Sequence, residues 1–161
     1  MNDQTLNSTR LWQPILKLPE RVQSKLKPYQ TVSIGWLQVE GMPMSNGSPS
    51  LKDLVPPENQ DVVQLLVDAG AIIYGKTNLP LFGGDTQTFN EIYRQTNNPW
   101  DQSKTSGGSS GGTAAALAAG LTGLDIGNDI GGSIRIPAHF AEFTATNPLS
   151  ESCLLAVALV L

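Results

Sequence analysis

Two serine sites flanked by glycine are the residues of this chain best suited to carry chemistry. Ser109 lies in the run Gly-Gly-Ser-Ser-Gly-Gly, and Ser133 lies in the run Gly-Gly-Ser-Ile-Arg. Because glycine has no Cβ and permits φ > 0, backbone N–H groups beside it can converge on one point. Such N–H groups stabilise the oxyanion that forms when a nucleophile attacks a carbonyl. A serine that follows such a run is therefore well placed to act as a nucleophile.

The segment between the two serines indicates how the first of them is held. Residues Thr113 to Ala119 are rich in alanine and predict a helix, with Gly120 as the residue that ends it. Ser109 and Ser110 then lie at the N-terminus of this helix, where free N–H groups and the helix dipole favour developing negative charge.

The remaining pattern predicts alternating helices and strands. Residues 57–69 carry apolar side chains at helical spacing, and Gly70 follows as a stop. Residues 71–74 read as a short buried strand, and residues 121–127 read as a second strand that leads to the second serine site. Residues 83–106 read as a long loop with a turn near its end. Helix, strand and loop in this order predict an α/β fold.

Composition excludes several classes of function. A chain of 161 residues with 40% hydrophobic and 15% charged residues is typical of one globular domain. A net charge of −4 argues against nucleic acid as a partner. With one cysteine, Cys153, and one histidine, His139, neither a disulfide nor a His/Cys zinc site is expected. Residues 1–10 lack a signal peptide, and the apolar run 153–161 is too short to span a membrane, so a cytoplasmic location is expected.

The same residues allow other interpretations. Serines and glycines are common in turns and helix caps, so Ser109 alone would not indicate catalysis. A phosphate loop needs a lysine after Gly-x-x-x-x-Gly, and Thr113 stands at that position. Lys76 follows a predicted strand without the glycine spacing of a phosphate site, which favours a scaffold role. His139 is expected to be a packed or surface histidine.

Several motifs taken together resemble the amidase signature family. The resemblance covers residues 38–140, between a non-matching arm at 1–37 and a non-matching tail at 141–161. The segments that carry it are Gly-Met-Pro at 41–43, Gly-Ser-Pro at 47–49, the run at 68–80, Asn-Pro-Trp at 98–100 and the glycine- and serine-rich core at 107–140.

This resemblance implies a fold and an activity. The fold would be α/β, a fragment of the amidase signature core with a mixed sheet flanked by helices. The activity would be hydrolysis of carboxylic amide C–N bonds in a small-molecule amide substrate. Members of the family use a Ser–cis-Ser–Lys triad, so the resemblance implies no cofactor and no metal.

The resemblance also implies roles for single residues. Ser133 matches the nucleophile, and Ser109 matches the bridging serine that follows a cis peptide bond. The resemblance also implies two groups of residues with shared roles. One group forms an oxyanion hole from main-chain N–H groups, and the other is a scaffold that holds the loop geometry. The oxyanion donors are Ile130, Gly131, Gly132 and Ser133, and the scaffold residues are Asp129, Arg135 and Ser110.

The chain departs from the family pattern at the triad lysine. Counted back without gaps from residues 39–43, the lysine position is occupied by Ile34, which cannot accept a proton. The pattern is also lost after Phe140, so we expect a fragment of a larger amidase domain. Two kinds of function stay open at this point: an impaired amidase, or a catalytically inactive remnant or small-molecule binding module that retains the glycine-rich cradle.

Overall fold

The computed structural model describes residues 31–146 and 156–159 of the chain. The apolar residues at 11–18 and 22–26 indicate short helical turns, interrupted by prolines. These segments, and Cys153, lie outside the described residues. The described elements are β1 (Thr31–Ile34), α1 (Asp61–Asp68), β2 (Ile72–Lys76), β3 (Phe89–Asn90), β4 (Arg94–Gln95), α2 (Gly111–Ala118), β5 (Leu124–Gly127), α3 (Arg135–Ala141), β6 (Thr144–Thr146) and β7 (Ala156–Leu159).

The main sheet has the strand order β2-β1-β5-β7-β6. Strand β1 runs parallel to β2 and to β5, whereas β7 runs antiparallel to both β5 and β6. Parallel neighbours need a crossover, and helices α1 and α2 lie in the connections that supply it. The α/β fold with a mixed sheet and flanking helices, as implied by the resemblance, is confirmed.

The sheet extends beyond both ends of the predicted core. Residues 31–37 belong to the expected arm, yet they contain β1, and Leu37 is buried in the hydrophobic core. Strands β6 and β7 both lie within the expected tail at 141–161. The apolar run at 153–161 therefore contributes a strand between β5 and β6.

Helix α1 anchors the core on one face of the sheet. Val63 and Leu66 are fully buried and pack in one cluster with Leu124 and Ile126 of β5. Full burial of each such side chain stabilises the fold by about 1.5–3 kcal/mol. The helix begins later than predicted because the N–H of Gln60 donates to the carbonyl of Gln38 in an extended segment. It ends as predicted, with Gly70 at φ +90°.

The prediction that β2 is a buried strand is wrong. Ile72 is 50% exposed and Tyr74 is 48% exposed. Among the described strands β2 is an edge strand that pairs only with β1. Ile72 and Tyr74, two residues apart, lie on one face of β2, whereas Ile73 on the other face packs against the core. An apolar run of this length does not by itself distinguish an edge strand from a central one.

Helix α2 is buried on nearly every side. Its small residues allow this, because a Cβ added at Gly112 would lie 2.3 Å from the backbone N and O of Asn78. The helix ends at Ala118, and Gly120 adopts φ +69° as the predicted terminating residue. Thr113 on α2 lies 3.2 Å, Oγ1 to Oγ1, from Thr77, which in turn lies 3.4 Å from the buried Asp125 carboxylate of β5.

The long loop at 83–106 is more ordered than its composition predicts. It contains the β3–β4 hairpin and a bridge between Asn97 and Thr105. The predicted turn near its end is confirmed, since Asn98 Oδ1 accepts from the N–H of Trp100 at 2.9 Å. Asn98 Nδ2 and Trp100 Nε1 donate to the last two carbonyls of α3, which ties this turn to the helix after the second serine site.

Within the described residues, no helix combines the length and the apolar character that crossing a membrane requires.

Candidate active site

One buried threonine hydroxyl holds the loop that carries Ser109. Thr88 is fully buried, and its Oγ1 lies 2.9 Å from the carbonyl O of Gly107 and 3.2 Å from that of Ser109. The same oxygen accepts from the N–H of Gly111 at 2.9 Å. One hydroxyl therefore holds both the loop and the first residue of α2 in place.

Glycine is required in this loop because the backbone passes close to another segment. A Cβ at Gly108 would lie 2.7 Å from the backbone N of Gln87, and Gly107 has φ +82°. The peptide bond between Gly108 and Ser109 is cis, as the resemblance predicts for the bridging serine. Ser109 itself is buried, and Ser110 is the residue that precedes α2.

The loop that carries Ser133 is organised around Asp129. Its carboxylate accepts from the N–H groups of Gly132 at 2.6 Å, Ile134 at 3.1 Å and Arg135 at 3.1 Å. The Arg135 guanidinium adds two contacts, at 3.0 and 2.9 Å. The pKa of Asp129 lies well below its usual range, chiefly because of the Arg135 side chain and further because of the three N–H groups.

The two loops meet at a main-chain hydrogen bond. The N–H of Ser110 donates to the carbonyl O of Ser133 at 3.0 Å. Ser109 and Ser133 then line one cavity of about 360 Å³, together with main-chain and side-chain atoms of both loops. The other lining residues are Trp36, Phe82, Gly83, Gly84, Asp85, Thr86, Gly108, Asn128, Ile130, Gly131 and Ile136.

One predicted oxyanion donor is already engaged. The N–H of Gly132 donates to Asp129, so it does not point at a reacting carbonyl in this conformation. Gly132 also has φ +111°, a conformation that L side chains rarely adopt. Ile130, Gly131 and Ser133 line the cavity, so the candidate donors narrow to these three.

The predicted scaffold residues lie where they can hold the loops. Asp129 and Arg135 are hydrogen-bonded to each other and to the second loop. Ser110 packs against β5 so closely that a Cβ at Gly127 would lie 2.8 Å from its Oγ. These contacts agree with a positioning role and leave Ser109 and Ser133 as the serines that line the cavity.

The position expected to hold the triad lysine is next to a different lysine. Ile34 of β1 is in register with Lys76 of β2. Lys76, however, lines a separate cavity that shares no residue with the serine cavity. Its ammonium donates to the carbonyl of Leu37, and burial lowers the pKa of Lys76 to about 8.

Some contributors to the site carry no signal in the sequence. Thr88 stands in a loop without a recognisable motif, and Trp36 and Phe82 reach the serine cavity from distant segments. His139 is exposed and packs edge-on against Phe140 at 5.8 Å, and it does not line the serine cavity. Among the described residues no cluster of His, Cys, Asp and Glu is suited to hold a metal ion.

Comparison with known proteins gives one family. Residues 36–145 match the family model described as Amidase. The A subunit of glutamyl-tRNA(Gln) amidotransferase from Trichodesmium erythraeum is 49% identical over 108 residues, which are 67% of this chain and 22% of that protein. Its counterpart from Methanosarcina acetivorans is 46% identical over 112 residues, which are 70% of this chain and 24% of that protein. The chain thus spans about a quarter of the length of these relatives, or less.

Solved structures of related enzymes share the fold. The corresponding amidotransferase protein of Thermotoga maritima superposes with a TM-score of 0.70 and 32% identity over 75% of this chain and 28% of that one. Peptide amidase of Stenotrophomonas maltophilia gives 0.65 and 32% identity over 74% of this chain and 26% of that one. The structure of 6-aminohexanoate cyclic dimer hydrolase superposes with a TM-score of 0.74 and is 26% identical, over 86% of this chain and 34% of that one. With a family match that covers well over half of its residues, this chain belongs to the amidase family.

Proposed function

We propose that this chain carries the nucleophile half of an amide C–N hydrolase site, with Ser133 as nucleophile and Ser109 as bridging serine. The observation that carries the proposal is that both serines line one cavity, and that the Ser110–Ser133 hydrogen bond joins their loops. The relatives support it, since one is a peptide amidase and another belongs to an amidotransferase. The substrate is a small molecule with a carboxylic amide.

The chemistry follows from the residues in the cavity. Ser133 Oγ attacks the amide carbonyl carbon and forms a C–O bond, while its proton passes to Ser109 and from there to a base. The carbonyl oxygen becomes an oxyanion, which accepts hydrogen bonds from the N–H groups of Ile130, Gly131 and Ser133. Each such donor lowers the barrier by about 3 kcal/mol in comparable sites. Cleavage of the C–N bond releases the amine with a proton, and water then hydrolyses the ester on Ser133.

The base is the member of this relay that the resemblance does not supply. Position 34 is isoleucine, and the neighbouring Lys76 faces a different cavity. A general base typically contributes about 10²–10⁴-fold to the rate. We therefore expect Ser133 to react with a strongly activated acylating or phosphonylating reagent, and unactivated amides to turn over very slowly.

The decisive experiment is labelling of the folded chain with a fluorophosphonate probe. Wild type and the exposed-serine control Ser103→Ala should be labelled equally, Ser133→Ala should not be labelled, and Ser109→Ala should be labelled more slowly. Equal labelling of wild type and Ser133→Ala would refute the assignment of the nucleophile. Circular dichroism of each variant shows whether loss of labelling reflects loss of the fold.

A second candidate is a binding module that holds small amides without hydrolysing them, and the isoleucine at position 34 favours it. It predicts that amides perturb NMR signals of the serine cavity while the fluorophosphonate leaves Ser133 unmodified. Introducing the lysine distinguishes the two candidates further. Ile34→Lys should raise amide turnover by roughly 100-fold or more if the remaining relay is intact, whereas Ile34→Met should not.

The relatives suggest how a base and the rest of a substrate pocket would be supplied. Because the match covers about a quarter of those proteins, their remaining part, added as a complementing chain, would supply the base and the rest of the pocket. Measuring amide hydrolysis with and without such a complementing chain tests this arrangement. An unchanged rate in its presence would contradict it.

A further inference from the structure

A second cavity, of about 490 Å³, is lined by Lys76. Two segments form most of its wall, residues 42–47 and residues 74–79, and Gly35, Tyr93 and Thr96 complete it. No lining residue is shared with the cavity of Ser109 and Ser133. A ligand here would therefore occupy a site distinct from the proposed catalytic one.

The charge in this cavity is unbalanced. Lys76 is the one side chain in the lining that is charged at neutral pH, and the lining contains no Asp, Glu, Arg or His. The other titratable groups that face it are the phenols of Tyr74 and Tyr93. Lys76 donates one hydrogen bond, to the carbonyl of Leu37, and an ammonium has three protons to donate. It forms no ion pair with any described residue.

A half-buried ammonium without a counterion is costly, because burial removes water that would otherwise stabilise the charge. That cost is visible as the lowered pKa of Lys76, about 8, for which burial is the cause. An anion beside Lys76 would offset the lost hydration and add charge-assisted hydrogen bonds.

The rest of the wall specifies what kind of anion would fit. Met42, Met44 and Leu79 supply apolar surface, and the rings of Tyr74 and Tyr93 supply aromatic surface. Tyr74 is held in place because its OH donates to the carbonyl of Leu121 at 2.9 Å. A volume of this order suits a small organic molecule rather than a bare inorganic ion.

From this combination we infer that the Lys76 cavity binds a small organic carboxylate. The carboxylate pairs with the Lys76 ammonium, and the apolar body of the ligand packs against the methionines and tyrosine rings. The site does not rest on the proposed amide hydrolysis, because it uses none of the residues of the serine cavity.

Phenylacetate is a suitable probe, with 2-phenylethanol as its uncharged counterpart. We expect phenylacetate to shift NMR signals of residues 42–47 and 74–79 saturably, and 2-phenylethanol to bind roughly tenfold more weakly or worse. Lys76→Met should lose that preference for the carboxylate, whereas Lys52→Met, at an exposed lysine, should keep it. Binding by Lys76→Met as tight as by wild type would overturn the inference.

The pH dependence follows from the charge on Lys76. Phenylacetate affinity should fall as pH rises through about 8, because the ammonium is discharged. A bound carboxylate raises the pKa of Lys76, so saturating phenylacetate moves this loss to higher pH. An affinity that stays constant between about pH 6.5 and pH 9.5 would contradict the pairing.

A measurement on the wild-type chain alone keeps the test valid if Lys76→Met does not fold. Acetic anhydride labels free amines, and mass spectrometry resolves the rate at each lysine. Phenylacetate should slow acetylation of Lys76 and leave the exposed Lys52 and Lys104 unaffected. An acetylation rate of Lys76 that phenylacetate leaves unchanged would also overturn the inference.

Discussion

Replacing Asp129 by alanine should destabilise the loop of Ser133 much more than replacing its ion-pair partner Arg135. The carboxylate accepts three main-chain hydrogen bonds and two from Arg135, and its side chain is only 10% exposed. Asp129→Ala leaves the N–H groups of Gly132, Ile134 and Arg135 without their acceptor. Since Ile134 is buried, water cannot replace that acceptor freely.

The three main-chain contacts set the size of the effect. A hydrogen bond to a charged group contributes about 1.5–3 kcal/mol net, and bonds that share one acceptor are not additive. We therefore expect Asp129→Ala to lower the free energy of unfolding by about 3 kcal/mol. The side chain of Arg135 is 73% exposed, so solvent screens its attraction and Arg135→Met should have a small effect.

The effect of Asp129 depends on pH in a defined direction. Its pKa is lowered on folding, so its contribution to stability is complete above the usual aspartate value of about 4. That contribution is lost as pH falls through the lowered pKa of the folded state. The difference in stability between wild type and Asp129→Ala should therefore be largest near pH 7 and shrink toward about pH 2.

Urea unfolding followed by circular dichroism measures these differences, and fluorophosphonate labelling reports the state of the serine loop. We expect Asp129→Ala to lose most labelling of Ser133 and Arg135→Met to keep it. If Arg135→Met costs as much stability as Asp129→Ala, the ion pair holds the loop and the main-chain contacts do not. If neither variant changes stability, the loop is held by other contacts.

Two further predictions concern the packing beneath the site. Gly112→Ala should lower the free energy of unfolding by about 3 kcal/mol or prevent folding, because its Cβ would lie 2.3 Å from the backbone of Asn78. The control Gly131→Ala, whose Cβ would have no atom within 4 Å, should be tolerated. Urea unfolding compares the two variants, and equal stability would contradict the clash. Thr88→Val should lower the free energy of unfolding by about 2 kcal/mol or more and slow fluorophosphonate labelling of Ser133. The reason is that residues 107–111 lose a buried hydroxyl that contacts three of their backbone atoms. A wild-type melting temperature and labelling rate in Thr88→Val would show that this hydroxyl is not needed.

Helices α1 and α2 could be predicted because their signals are local, whereas α3 could not. The apolar spacing of α1, the alanines of α2 and the glycines at 70 and 120 all act within a few residues of the helix they form or end. Each signal can therefore be interpreted without knowing what the helix packs against. The start of α1 differs from the prediction because of a distant partner, Gln38. Helix α2 begins at Gly111, before its predicted start at Thr113.

The exposure of β2 could not be predicted because it depends on the place of the strand in the sheet. Ile72 and Tyr74 are as apolar as residues of a central strand, but only β1 pairs with β2 among the described strands. That arrangement follows from the pairing of Thr31 with Ile72, which no local pattern encodes.

Within the candidate site, residue types could be inferred more readily than hydrogen-bond partners. The motif resemblance selects Ser109, Ser133 and Asp129, but a sequence motif does not show where each N–H points. Only the geometry reveals that Gly132 donates to Asp129. Thr88 escapes prediction for a similar reason, because a single threonine in a loop has no spacing that would mark it.

The order of strands in the sheet has a consequence for how the chain is made. Strand β1 pairs with β2 and with β5, and the register of Val32 with Leu124 joins residues roughly 90 positions apart. On the ribosome, β1 therefore emerges long before its second neighbour has been synthesised. Until then its free edge can pair with other chains, which is the situation in which nascent strands aggregate or recruit chaperones. Slower translation of residues 35–124 should therefore lower the yield of folded chain.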